Sequence, residues 1–345
     1  MPHLHKALSL AASNRQHSNK MELTLSLDKL NNDRAENFFN FYEFETIIGD
    51  SERKYFLGDK TSLRTCRFCD KSEPEVKFNS DAHVMPQFMG NKNLLSLFEC
   101  DECNNLFSKY EDSFANFFGI TRTFSQIRGQ SNKVPKFKDK KTGLEVVLTD
   151  TGIKMSTIEG IDPITFDKEK KKLEITTERP GYIPIHIPKA LIKMGLCMLS
   201  TDDFLDYDYS KRFIMKSEKD IHFKDSKMLR IFGYFIPGPP KFPKPFVQLY
   251  KRKELHKDKL IPNRHLILYY SNYCLQMILP FAKSDEHLQG QNIDLPIFPL
   301  LIDNPHFEEF GEYQQLNLNL TSNEKKSGQQ HKVSFSFESY TDTML

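Results

Sequence analysis

The chain has 345 residues, of which 39% are hydrophobic and 27% charged, with 29 phenylalanines and no tryptophan; this is a globular composition with ample core material and excludes a disordered chain. A formal net charge of +2 excludes a uniformly basic nucleic-acid binder, so any such surface has to be local. No apolar run approaches a membrane span, so no membrane partner is expected, and the length suits about two domains of roughly 100 to 200 residues each.

The N-terminal apolar stretch Ala7 to Ala12 is too short for a secretory signal, and residues 1–20 are expected to be a flexible extension. In the lead-in segment 21–63, Leu23, Leu25 and Leu27 alternate with polar residues and predict a strand. Phe38, Phe39, Phe41 and Tyr42 then supply an aromatic face for packing against the cysteine-bearing segment or the C-terminal domain.

Residues 64–120 carry the clearest chemistry. Cys66-Arg-Phe-Cys69 and Cys100-Asp-Glu-Cys103 are two C-x-x-C pairs about thirty residues apart, a spacing that lets four thiolates close one tetrahedral structural zinc site. The remaining two of the six cysteines, Cys197 and Cys274, stand alone in apolar surroundings and are expected in the core. Metal-type pairs plus lone thiols fit a reducing, cytoplasmic setting better than a disulfide framework. Between the pairs, Val76–Phe78 and Ala82–Val84 are short apolar runs joined by Asn79-Ser80-Asp81, which predicts a hairpin ended by Pro86. From about Cys100, Phe107, Tyr110, Phe114 and Phe117 recur at helical spacing and predict a helix with one core face. Asn104 and Glu111 are nearly two turns apart and point the same way, as two oxygen ligands of one hard cation must.

This arrangement resembles the HNH endonuclease family, zinc-braced ββα-metal nucleases built from a hairpin and a helix around one divalent ion. The resemblance implies His83 as the general base and Asn104 as a ligand of catalytic Mg2+ or Mn2+, with Asn91 or Asn93 as the middle asparagine that helps hold the histidine. The pattern departs at Ala82, where many members carry an acidic metal ligand. Asp81 is adjacent but faces the other way on a regular strand, which leaves Glu111 as the favoured carboxylate and Asp81 as the other candidate. Histidine and one divalent cation are a sufficient minimum for phosphodiester hydrolysis. Some relatives are restriction or anti-phage effectors in which a second domain recognises a target, so the resemblance implies nucleic acid as partner, DNA favoured, with an activating ligand or protein as a further partner of the C-terminal domain. Cutting both strands with one site would favour a homodimer.

Downstream, Arg122, Arg128, Lys133, Lys136, Lys138, Lys140 and Lys141 are opposed only by Asp139. This basic linker, 121–143, either tracks a phosphate backbone or is simply solvated. Residues 144–320 predict a larger mixed α+β domain with a mainly antiparallel sheet. Strands are expected at 144–148, 153–158, 173–177, 182–187, 229–237, 246–250, 265–270 and 273–279, a helix at 190–199, a hairpin tip at 168–172, and a two-residue turn at Ser271-Asn272. Pro237-Gly-Pro-Pro and Phe242-Pro-Lys-Pro245 predict a rigid loop. Residues 241–264 hold eight basic residues against two acids, a second local patch that is either a nucleic-acid footprint or exposed surface. His186, His222, His256, His265 and His306 show no ligand spacing, and residues 321–345 form a polar tail.

Two other readings stand beside the nuclease: a zinc-dependent nucleic-acid-binding module without turnover, and a structural zinc protein whose C-terminal domain carries the function. Neither gives a reason for His83 and Asn104 to stand together with the cysteines.

Overall fold

The computed structural model describes residues 25–58, 63–129, 131–158, 160–217 and 226–336. The expected extension 1–20, Leu23, His222 and the tail beyond Ser336 lie outside the described residues. In chain order the elements are α1 (Lys29–Phe41), β1 (Tyr42–Gly49), β2 (Tyr55–Leu57), β3 (Leu94–Ser96), α2 (Asp101–Phe118), α3 (Thr121–Phe124), β4 (Phe137–Lys138), β5 (Glu145–Thr149), β6 (Gly152–Ser156), β7 (Ile164–Asp167) and β8 (Lys172–Glu178). There follow α4 (His186–Met198), α5 (Thr201–Leu205), α6 (Asp208–Met215), β9 (Ile231–Phe235), β10 (Phe242–Arg252), β11 (Arg264–Ser271), β12 (Tyr273–Ile278), α7 (Asn304–Phe310), β13 (Gln314–Leu318) and β14 (Gln330–Ser336). This is a mixed α+β chain with mainly antiparallel sheets.

The main sheet has six strands in the order β1-β10-β11-β12-β9-β13, all neighbours antiparallel. Its centre, β11, is buried along its whole length, and the two-residue period of a strand sends alternate side chains to two different cores. Leu266, Leu268 and Tyr270 face the core shared with α4 and the cysteine module. Ile267 and Tyr269 face a second core made with the aromatics of α1 and with Phe298, Leu300 and Ile302. The aromatic lead-in thus packs on the far side of the C-terminal sheet, and β1 completes that sheet's edge.

Helix α4 is apolar nearly all round, and every residue from His186 to Cys197 is buried, as a helix between two layers must be. Gly195 allows its close approach to the sheet, since a methyl group there would meet Leu279 and Leu266. On its other side lies α2, whose Phe107, Tyr110 and Phe114 carry the expected core face. Arg67, inside the first cysteine pair, donates to the carbonyls of Leu196 and Leu199 at 3.2 and 3.1 Å. Its guanidinium is stacked on Phe98 at 3.5 Å. A cation on the orphan carbonyls at the end of α4 ties the cysteine module to the C-terminal unit.

Several local expectations are corrected. The Val76–Phe78/Ala82–Val84 hairpin does not form; Ala82–Val84 instead pairs with Leu94–Ser96, through Ser96 N–H to Ala82 O at 2.7 Å and Val84 N–H to Leu94 O at 3.3 Å. Both runs are buried without pairing to each other, and the loop 85–93 that joins the paired segments carries an internal brace. Leu25 and Leu27 form no strand but lead into α1, capped by the Asp28 side chain. Of 182–187 only Tyr182 bridges, to Lys326, and the helix starts at His186, with Pro188 inside its first turn, where its missing N–H is no loss. Phe242–Pro245 belongs to β10, which is irregular between Phe242 and Phe246 as its prolines demand. The basic linker contains α3 and β4, the latter pairing with β5, and Gln330–Ser336 of the polar tail pairs with β8.

Candidate functional site

The two cysteine turns face one another. Cys66 accepts at its carbonyl from Asp70 N–H at 2.9 Å, with Asp70 at φ 61° closing the first turn. Cys100 caps the N-terminus of α2 and donates its backbone N–H to Cys66 Sγ at 3.5 Å. The sulfurs of Cys66 and Cys103 are 3.7 Å apart, as are those of Cys69 and Cys100, and all four lie within 4.8 Å of one another. A tetrahedron with metal–sulfur bonds of 2.3 Å places its sulfurs about 3.8 Å apart, so the four thiols match a structural metal site. The neighbouring Cys103 thiol draws Cys66 down, while the hydrogen bond to Cys66 pushes Cys103 up and burial pushes Cys69 up, so the four thiols need a cation to ionise together. Cys197 and Cys274 are buried away from this set, as expected.

His83 sits in the bridge to Leu95, beside this quartet in sequence and in the same core. The loop behind it is braced by buried Asn91, which donates to Met85 O and Leu94 O at 2.7 and 3.0 Å and accepts from Leu94 N–H at 3.0 Å. Within the loop the short turn Gln87–Met89 ends on Gly90 at φ 98°, a conformation that favours glycine. Gln87 Nε2 lies 2.6 Å from His83 Nε2, so it is Gln87 that holds the ring, while Asn91 acts one step back by shaping the loop. Asn93 faces elsewhere, donating to Ser51 O at 2.6 Å. Burial, helped by the nearby Lys193 cation, pushes the His83 imidazole down to about 4, so it is neutral and able to take a proton at pH 7. Its Nδ1 is buried with no hydrogen-bond partner among the described residues.

Beneath His83 lies a buried ionic cluster that the sequence reading missed. Lys193 of α4 donates to the His83 carbonyl, pairs with fully buried Glu99 at 3.0 Å, and stands 4.0 Å from Glu111. His83 and Glu111 therefore share one lysine. Burial pushes the Glu111 carboxyl up to about 7. Lysines inside an otherwise apolar helix were the available signal, because a buried ammonium needs a partner; nothing in the sequence said which carboxylate it would meet.

The other candidate ligands are dispersed. Asn104 is half-buried in the first turn of α2, next to Cys103. Asp81 is exposed and pairs with Lys54 at 3.0 Å; two residues before His83 it lies on the same side of the extended chain, and its charge acts on the imidazole. Among the described residues the cysteine quartet is the only group of three or more Cys, His, Asp or Glu side chains close enough to share a metal. Of the other histidines, His186 meets Ser113 at 2.9 Å, His265 lies in the sheet core, His256 packs on Phe41, and His306 meets Pro237 O at 3.0 Å; none takes part in the site. No described helix is long and apolar enough to cross a membrane.

No curated protein and no solved structure matches the chain. The model of the HNH endonuclease family matches residues 66–117, from the first cysteine into the second half of α2. That span holds all four cysteines, the His83 bridge, the braced loop and the helix bearing Asn104 and Glu111, and it is this segment of the chain that matches the HNH endonuclease family.

Proposed function

We propose that the chain is a metal-dependent endonuclease that hydrolyses phosphodiester bonds in nucleic acid, DNA favoured, with His83 as general base. The observation that carries this reading is the state of His83: neutral, half-buried, oriented by Gln87, and set in a family-matched segment. A neutral imidazole can take the proton of an attacking water at Nε2 as that water adds to phosphorus, the water displacing the Gln87 amide from that nitrogen. The fixed loop, braced by Asn91, keeps the ring from rotating away at no cost during the reaction. The quartet Cys66, Cys69, Cys100 and Cys103 holds structural zinc, and its role is to fix the turn before α2 against the strand of His83.

Asn104 and Glu111, with Asp81 as a second carboxylate, are the oxygen donors that would hold Mg2+ or Mn2+; such an ion neutralises charge on the phosphate and the leaving oxygen. The fit is partial, since Lys193 stands beside Glu111 and Lys54 holds Asp81, and substrate binding has to complete it. The C-terminal sheet, fused to the module through α4, is the natural place for target recognition in a restriction or anti-phage effector.

The test is nicking of supercoiled plasmid at low salt with magnesium and then manganese. Wild type should nick, and His83→Ala should lose at least about a hundredfold in rate while keeping zinc and fold. Equal rates for the two proteins would remove His83 from the mechanism. Binding without nicking by the wild type would favour a zinc-dependent binding module.

A further inference from the structure

Beyond the C-terminal end of α2 a cavity of about 310 Å³ opens between the module and the small sheets, lined by Gly119, Arg122, Lys136, Lys138 and Pro180 among others. Arg179 and His331 adjoin it at Gly119, where an added Cβ would press on His331 Nδ1 at 3.1 Å and touch the Arg179 Cγ at 3.5 Å. Arg122 and Arg179 are half-buried, yet neither guanidinium is within ion-pairing distance of a carboxylate among the described residues. Arg122 Nε, Arg179 Nε and His331 Nδ1 are buried without a hydrogen-bond partner among those residues. The guanidiniums are not loose: Arg122 lies over the Phe88 ring at 5.1 Å and Arg179 over Phe117 at 4.7 Å. Burial holds Arg122 below its ordinary value, and burial with the Arg179 charge pushes His331 down to about 4.

Cations withdrawn from water without a counter-charge are costly unless an anion completes them. Guanidiniums fixed on aromatic faces with free N–H groups present the planar fork that suits a phosphate. The position relative to His83 is also set, because the turn that gives Gln87 to the histidine gives the next residue, Phe88, to Arg122.

We propose that Arg122, with Lys136 and Lys138 at the rim and Arg179 and His331 adjoining at Gly119, forms a subsite for a backbone phosphate of the nucleic acid flanking the scissile one. The proposal rests on the endonuclease reading for its ligand. It also sorts the basic linker: Arg122, Lys136 and Lys138 belong to a built pocket, and the remaining lysines are solvated surface.

The experiment measures binding of a labelled duplex oligonucleotide by anisotropy over a salt series, in the His83→Ala background without magnesium, so that turnover plays no part. Arg179→Gln should weaken binding about tenfold and flatten the slope of log affinity against log salt by about 0.9, one phosphate contact on duplex DNA. Arg179→Lys should lie between, and Lys227→Gln, which removes an exposed charge elsewhere, should leave affinity within about twofold. The unliganded melting temperature of Arg179→Gln should equal or exceed that of the parent, because an uncompensated charge has been removed, which a merely structural arginine would not allow. Unchanged affinity and slope in Arg179→Gln overturn the subsite. Stabilisation of the parent but not of Arg179→Gln by inorganic phosphate, with oligonucleotide binding unaffected, also overturns it, in favour of a free small anion. Binding that depends on Arg179 in a wild-type protein that never nicks keeps the subsite and sinks the proposed turnover instead.

Discussion

His265 lies on β11 with no exposure, its ring 4.6 Å from that of Tyr42 and 5.5 Å from that of Phe38. Gln276 Nε2 stands 3.1 Å from its Nδ1, which places the proton of the neutral ring on Nε2, and that atom has no partner among the described residues. Burial pushes its pKa from 6.5 down to about 3. Between those values the unfolded chain binds a proton that the folded chain refuses, so stability is full above pH 6.5 and is lost as pH falls toward 3. At pH 5 the loss from this residue is about 2 kcal/mol, one and a half pH units at about 1.36 kcal/mol each. His265→Leu removes the titration while keeping an apolar side chain on the same face. Urea denaturation of both proteins at pH 7.5, 6 and 5 should show the variant gaining about 2 kcal/mol on wild type across that range, all other titrating groups cancelling in the difference. Parallel stability curves would show that His265 is protonated in the native state, and the assignment of a dry, neutral ring would be wrong.

Lys193→Met strands the buried Glu99 charge and should cost about 3 to 5 kcal/mol in urea denaturation. Adding Glu99→Gln should recover most of it, and a double variant no more stable than the single would remove the pair from the account. Cys100→Ser, or a strong chelator on wild type, should abolish cooperative unfolding and release about one zinc per chain by metal analysis; an unchanged melting curve after zinc removal would refute a structural role for the quartet. Gly233 faces the Cys274 carbonyl and Leu275 of the next strand so closely that a methyl group does not fit. Gly233→Ala should therefore cost about 1 to 3 kcal/mol in thermal denaturation, with wild-type stability counting against the packing described.

What could be read from the chain divides by range. The C-x-x-C pairs, the aromatic face of α2 and the strands β5, β6, β8 and β9 to β12 are local statements, because thiol spacing, a helical period and β-branched runs between turns act within a few residues. The clustering of the four cysteines was legible for the same reason: their motif lies within one short segment. The partner of the His83 strand was not, since two apolar runs competed for it and only loop closure through Asn91 chose Leu94–Ser96 over Val76–Phe78. The prolines at 243 and 245 were read as a loop because local propensity cannot see that the irregular start of β10 accommodates them.

The sequence by itself determined a four-thiol site and a β-rich C-terminal half. Only the tertiary structure decided that the lead-in strand closes the C-terminal sheet, that Gln87 holds the His83 ring, that Lys193 crosses from α4 to join Glu99 and Glu111, and that His331 stands with the Arg179 stem beside Gly119. Each of these joins groups far apart in the chain, and the burial that selects them, a charge that must find its counter-charge or a ring that must fill a core, is a property of the packed molecule rather than of any segment.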